Sequence, residues 1–583
     1  MMLFIDVIGG GVRSFCRCRS GVMLVAMMAV ALVCGPDAWA QARRPPKLVV
    51  VLVVDQMRGD YIDRYQSQWT KGMHRLITAG AVFKRAAYPY MNTVTCPGHA
   101  TISTGSFPAT HGIIGNGWFD REVGRNVRCS GDDQIRTISY AAPASGGDGP
   151  SRLLVSTLAD EMRAQLPLPT RVVTFSMKER SAIMLAGQRA DAATWFSASS
   201  KGFVTSSAYT AEPVPFVAAF LGANPIEAEF GKPWTRMLPP GRYVFDDDGL
   251  AEKPATYWTP TFPHVLKGRG AIPDADFYEA WETSPFSDAY LGRLGMAAVD
   301  AMRLGQGSGT DFLGISFSAL DLVGHDFGPA SHEVQDVLVR LDATIGALLT
   351  HLDRTVGVGN FVVGFSADHG ASPIPEQVSA KGLNAGRLRT AAVQTAAVQA
   401  LQRELGAGTY SIRMYGSELY LERTVLERLR QSPLALANVL GALRSVPGVA
   451  RAYFGESLAV AVAAGEHDAR AAALSYVAGR SGDIIVVPRP YWFYVTEDGT
   501  AQPGSATSHG TLYDYDQHVP VILFGAGIAR GEHWRAVTPA DLAPTLAGLV
   551  GVTLPRPDGH VLADALSTVP ATGPSGAAQP PRR

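Results

Sequence analysis

Five stretches of the chain are apolar without alternation: "KLVVVLVVD" (47–55), "RVVTFSMK" (171–178), "FLGISFSALD" (312–321), "FVVGFSADHG" (361–370) and "VPVILFGAG" (519–527). Such runs suit strands covered on both faces, as in a parallel sheet. Between some of them, apolar positions recur with helical spacing, in "SRLLVSTLADEMRAQL" (151–166) and "VQDVLVRLDATIGALLTHLDR" (334–354). Strands alternating with helices predict an α/β fold, a largely parallel central sheet with helices on both faces. Two intervals break the alternation. Residues 187–290 are rich in Pro, Gly and aromatics, while 375–500 mix a helical part with short strands. Both read as inserted cap segments at the mouth of a site.

The ends follow other patterns. Arg13, Arg17 and Arg19 precede the apolar run "GVMLVAMMAVALVCG", and "AWA" ends at Ala40. Residues 1–40 therefore read as a secretory signal peptide, with an apolar run short for a membrane span. An exported protein with no stable span after signal removal is expected. Residues 565–583 have the composition of a disordered tail, which leaves 41–564 as the catalytic domain. The 583 residues are 46% hydrophobic and 18% charged, with formal net charge −1. That supplies a large core and leaves no basic footprint for a nucleic-acid partner. The sequence carries no signal for an oligomeric state. Cys96 and Cys129 remain after signal removal, and export permits a disulfide between them without requiring one.

Polar residues gather where the apolar runs end. Asp55, Asp321 and Asp368 close three of them, the C-terminal strand edge at which open α/β sheets bind ligands. Asp321 and His325 are four apart, so a helical turn puts both on one face. His369 adjoins Asp368, and His509 precedes the last run, with His518 as a rival. A single Asp or His at such a place is usually a cap or a hydrogen-bonding residue. Together they form a nitrogen and oxygen donor set, which suits zinc better than magnesium or calcium. Six donors exceed one tetrahedral site and fit two Zn²⁺ with open positions.

A hydroxyl bound to zinc ionises far more readily than a free one. The stretch "YPYMNTVTCPGHATISTGSFPATHGIIGNGWFD" (88–120) is rich in hydroxyls, and Pro97 reads as a first helical residue. Thr95 would then stand at the positive helix end, with Cys96 as the rival nucleophile.

The segment "NTVTCPGHATISTGSFPATHGIIGN" resembles the nucleophile segment of the alkaline phosphatase superfamily. It is nearest the type I phosphodiesterase/nucleotide pyrophosphatase group and, within that, the phosphate-irrepressible alkaline phosphatases. The resemblance selects Thr95 over Cys96 and makes Asn116 a donor to a phosphoryl oxygen. "SMKERSAIMLAG" resembles the Lys-x-Arg element of the monoesterases, with Lys178 and Arg180 gripping the phosphate. The resemblance also allots the metals: Asp321, His325 and His509 hold one zinc, while Asp55, Asp368 and His369 hold the other, with Thr95 as its nucleophilic ligand. His509 is preferred to His518 because it lies in a His-Gly pair. The implied protein is a periplasmic or secreted alkaline phosphatase that hydrolyses small-molecule phosphate esters through a phosphothreonine. The alternative is a phosphodiesterase or nucleotide pyrophosphatase with the same metals. A sulfatase would need a Cys-x-Pro-x-Arg element, which is missing here.

Overall fold

The computed structural model describes residues 44–495 and 505–567. The expected signal segment, and the tail beyond residue 567, lie outside the described residues. Every apolar run contributes a strand to one ten-stranded sheet. In chain order its strands are β1 (Leu48–Val54), β2 (Ala81–Ala86), β3 (Thr137–Ser139), β4 (Val172–Ser176), β5 (Ala192–Ser197), β6 (Gly202–Ser206), β7 (Asp311–Phe317), β8 (Phe361–Ser366), β9 (Val521–Gly525) and β10 (Gly531–Val537). Their spatial order is β10-β2-β9-β8-β1-β7-β4-β5-β6-β3.

The five central strands from β8 to β5 are parallel. Strand β9 runs against both β8 and β2, and β6 runs against both β5 and β3. The last apolar run is thus antiparallel to its neighbours, yet still lies between two strands and is apolar for the same reason. All seven residues of β1 are buried. Val50, Leu52 and Val54 enter the core on one face of the sheet, and Val49, Val51 and Val53 the core on the other. That two-sided burial is why β1 does not alternate.

Three helices matter for the site, α1 (Thr95–Thr104), α2 (Glu179–Ala186) and α3 (Ala319–Phe327), and the helix expected over 334–354 forms as α4 (His332–Leu352). The helix expected over 151–166 forms only at Leu158–Gln165. Thr157 fixes its start, accepting from the Asp160 N–H while the Asp160 carboxylate takes the Thr157 N–H. Helix α1 begins at Thr95, so Pro97 is its third residue rather than its first.

The two irregular intervals differ in kind. The first begins by supplying β5 and β6 to the central sheet. Trp234, Trp258, Phe277 and Trp281 then pack into the core on one face of that sheet. The second has a core of its own, around Leu388, Leu401, Val439 and Ile484. Its strands Ile412–Tyr415, Glu418–Leu421, Val449–Phe454 and Ile484–Pro488 form a separate four-stranded sheet. Among the described residues no helix is long and apolar enough to cross a membrane.

Candidate metal centre and active site

Strand register assembles the site. Val53 of β1 lies opposite Ser316 of β7 and Ser366 of β8, so the three strands end level. The residues just beyond them therefore meet at one sheet edge. Asp55 follows β1 and donates its N–H to Phe317 O (2.9 Å), Asp368 and His369 follow β8, and α3 carries Asp321 and His325 beyond β7. His509 arrives on the loop before β9. Two groups result, Asp321 with His325 and His509, and Asp55 with Asp368 and His369. Within each, one donor atom per residue lies within 4.8 Å of the others.

All three imidazoles are set to present Nε2. His325 Nδ1–H donates to Thr507 O (2.9 Å), His369 Nδ1–H to Gly370 O (2.9 Å) and His509 Nδ1–H to Thr93 O (3.0 Å). The remaining nitrogens face carboxylates: His325 Nε2 is 3.3 Å and His509 Nε2 3.6 Å from Asp321 Oδ1. His369 Nε2 is 3.4 Å from Asp55 Oδ1 and 3.4 Å from Asp368 Oδ2. An imidazole that donates through one nitrogen to a fixed carbonyl and leaves the other as a lone pair is a ready metal ligand.

Two further observations fit this donor set to cations. Asp55 Oδ1, Asp368 Oδ2 and His369 Nε2 are all buried without a hydrogen-bond partner, a costly arrangement unless something else satisfies them. The Lys178 ammonium lies between the groups, bonding Asp55 Oδ2 at 2.7 Å and also Asp321 Oδ2. The resemblance assigned Lys178 to phosphate; here its charge neutralises one carboxylate of each group. Its side chain is only 6% exposed, so it is not a solvated surface charge.

The titrations follow from burial and crowding. Burial, then the nearby Asp368, pushes the Asp55 carboxyl well above the usual carboxylate range. Burial alone would raise Asp321 too, but Lys178 and His325 hold it well below its ordinary value. Burial, then His369, drives His509 well below the usual imidazole value, and burial also lowers His369. The two stacked rings, His369 and His509, have centroids 3.6 Å apart, so both cannot readily be charged. Burial opposes charge on His325 as well, but the Asp321 carboxylate raises it above the usual imidazole value, so only His369 and His509 are held in the neutral state a metal requires of an imidazole.

The nucleophile candidate stands on α1, which packs against the second group. Gly98, one turn after Thr95, is so close to Asp368 that an added Cβ would lie 2.2 Å from its backbone oxygen. His99 Nδ1 is 3.2 Å from Asp368 Oδ2. Cys96 is bonded to Cys129, which withdraws it as a rival nucleophile and ties the start of α1 to the chain just after the strand Arg125–Arg128. The Cys96 N–H donates to Asn116 Oδ1 (2.8 Å), a bond that fixes which end of the Asn116 amide carries the donors.

Thr95, Asn116, Lys178, Arg180, Asp321 and His509 all line one cavity of about 800 Å³. Asp55, Asp368 and His369 lie behind its wall and are fully buried. Lys178 caps α2, and Arg180 is its second residue. Glu179 accepts from Arg180 at 3.5 Å and is 3.8 Å from Arg128. Burial opposes its ionisation, but Arg180 and Arg128 together hold it below the usual range. His518 falls in neither group; its ring packs over Gly59, beside Arg58 and Asp60.

Two supporting residues escaped the sequence reading. Asp288 is buried and accepts from the N–H groups of Ser318 (2.9 Å) and Ala319 (3.2 Å), at the start of α3. Gln56, next to Asp55, touches both groups. Only the motif "DQ" beside a strand end could have flagged Gln56, and nothing in the sequence ties Asp288 to α3, thirty residues away.

Two His/Asp groups at the edge of a mostly parallel sheet thus make a candidate two-metal centre beside a buried threonine. Residues 49–512 match the family of type I phosphodiesterase / nucleotide pyrophosphatase, and the chain belongs to that family. Among curated relatives, alkaline phosphatase PhoV of Synechococcus elongatus is 30% identical over 536 residues, 91% of this chain and 95% of its own. Alkaline phosphatase PafA of Elizabethkingia meningoseptica is 31% identical over 522 residues, 88% of this chain and 92% of its own. A crystal structure of wild-type PafA superposes with a TM-score of 0.80 at 30% identity, covering 90% of this chain and all of that one. A solved PafA variant carries substitutions at a Thr, an Asn, a Lys and an Arg, in the order and at the intervals of Thr95, Asn116, Lys178 and Arg180 here.

Proposed function

We propose that the protein is an exported, zinc-dependent alkaline phosphatase that hydrolyses phosphate monoesters through a phosphothreonine. The observation that carries this reading is the convergence of Thr95, Asn116, Lys178 and Arg180 on the cavity whose wall holds one Asp/His group and covers the other. Asp321, His325 and His509 would hold one zinc, and Asp55, Asp368 and His369 the other. When bound, zinc supplies Lewis acidity, which favours an ionised hydroxyl and eases departure of an alkoxide.

The chain's own residues do the rest. The Thr95 hydroxyl loses its proton to water, and Oγ bonds to phosphorus as the ester P–O bond breaks. The departing alkoxide takes a proton from water and leaves as the alcohol, the helix N-terminus favouring negative charge at Oγ. Water then displaces Thr95 Oγ, releasing inorganic phosphate and restoring the hydroxyl. The Asn116 amide and the Arg180 guanidinium donate to nonbridging oxygens, and Lys178 adds positive charge between the two groups. A monoester dianion carries more charge than a diester, so these cations favour the monoester over the phosphodiesterase alternative.

Turnover of an aryl phosphate and its methyl diester, with and without a chelator, tests this. Monoester turnover should dominate, and chelation should remove it. Replacing Lys178 and Arg180 together by Ala should cost the monoester on the order of 10²-fold or more, by analogy with lost transition-state donors, and the diester far less. Equal losses would contradict the assignment. Export by residues 1–40 is supported by the Cys96–Cys129 disulfide, since such bonds persist in oxidising compartments. Cell fractionation tests it, and activity confined to the cytoplasm would count against it.

A further inference from the structure

Gln56 follows Asp55 directly, is 1% exposed, and takes a left-handed backbone conformation with φ 67°. That conformation is uncommon for a residue other than glycine and is strained unless its surroundings hold it. Here they do. The Gln56 N–H donates to Asp368 Oδ1 at 3.1 Å, and its side-chain amide donates to Asp321 Oδ1 at 2.6 Å. Asp368 belongs to one donor group and Asp321 to the other. Among the described residues, Gln56 and Lys178 hydrogen-bond to carboxylates of both groups.

The two bonds do different things. Asp368 Oδ1 accepts from Gln56 N–H and from its neighbour His369 N–H (3.0 Å), which leaves Oδ2 as the unpartnered oxygen. The backbone therefore selects the oxygen Asp368 can offer to a cation. Asp321 Oδ1 is the atom on which His325 and His509 converge, and the Gln56 amide fixes its direction from outside that group. The neighbouring helix is shaped to admit the amide. A Cβ at Gly324 of α3, between Asp321 and His325 in sequence, would lie 1.9 Å from Gln56 Oε1. Strain at Gln56 and the missing side chain at Gly324 thus serve one contact.

We infer that Gln56 is a positioning residue that orients Asp321 through its side chain and Asp368 through its backbone, so that its side chain governs cation affinity at the Asp321–His325–His509 group alone. The inference rests on the reading that both groups hold zinc. Gln56→Met keeps the side-chain volume and removes the donor. Gly324→Ala displaces the amide from the other side.

The test is zinc content by elemental analysis, on full-length protein equilibrated against a graded series of zinc buffers. Wild type should hold two equivalents. Each variant should keep one at wild-type affinity and bind the second roughly 10- to 100-fold more weakly, the usual effect of losing a residue that orients a ligand. Gln56→Asn offers a shortened amide, and any recovery it gives should appear only in the weakened equivalent. Two equivalents at wild-type affinity in both variants would overturn the inference, as would equal weakening of both. A wild-type protein without zinc would instead overturn the functional reading beneath it.

Discussion

At the residue scale, Thr95 differs from the other hydroxyls of its segment in position, not in chemistry. It is the first residue of α1 and is 1% exposed, and α1 is pressed onto Asp368 through Gly98. Cys96, one position on, is held in a disulfide. Thr95→Ala should abolish phosphatase turnover while leaving zinc content at two equivalents, checked by activity assay and elemental analysis on one sample. Retained turnover would remove Thr95 from its role, whatever the metal content. The donor residues were legible in the sequence because each sits at a strand end or in a short local spacing, as Asp321 and His325 do. What could not be read is that the Lys178 ammonium reaches both carboxylate groups. Its bonds to Asp55 and Asp321 join residues more than a hundred positions apart, and no local pattern encodes such a contact.

At the element scale, α3 needs a fixed start because it presents two donors on one face. Asp288 provides it, accepting two N–H groups there while almost fully buried. Burial raises its carboxyl to about 7, against the bonds from Ala319 and Ser318 that favour the charged form. An acid whose folded value lies above its unfolded value binds protons more tightly when folded. Stability is then greatest below the unfolded value near 4, falls as pH rises towards 7, and levels off above it. The full difference is on the order of 4 kcal/mol. Asp288→Asn removes this dependence, so the gap in stability between variant and wild type should shift in the variant's favour between pH 4 and pH 8. Urea denaturation in the presence of chelator reads it, and parallel pH profiles would contradict it. Elements with a two-sided apolar pattern, such as β1, were legible for the reason they are stable. Strands β5 and β6 were missed because they sit in an interval dominated by Pro, Gly and aromatics, and β9 gave no clue to its reversed direction, since burial between two neighbours makes either direction equally apolar.

At the scale of the molecule, one sheet edge gathers both donor groups, while the segment 375–500 builds its own core and lends Tyr415 and Phe493 to the cavity wall. The disulfide is the covalent tie at this level, joining the nucleophile helix to the residue just after the strand Arg125–Arg128, across 33 residues of chain. Replacing Cys96 and Cys129 together by Ala should cost about 2–4 kcal/mol, measured by denaturant unfolding, with reduction of the wild type giving a similar loss. No change would mean that the bond does not form. Segments such as 375–500 carry no periodic signal in the sequence, which is why their separate core was not legible there.

Two cations at the level ends of β1, β7 and β8, poised to ionise the Thr95 hydroxyl, are the claim on which the rest stands. X-ray diffraction at the zinc edge, from crystals of the full protein grown with zinc, tests it most directly. Two anomalous peaks are expected, one among Asp321, His325 and His509 and one among Asp55, Asp368 and His369. A single peak, or none at either group, would contradict the account.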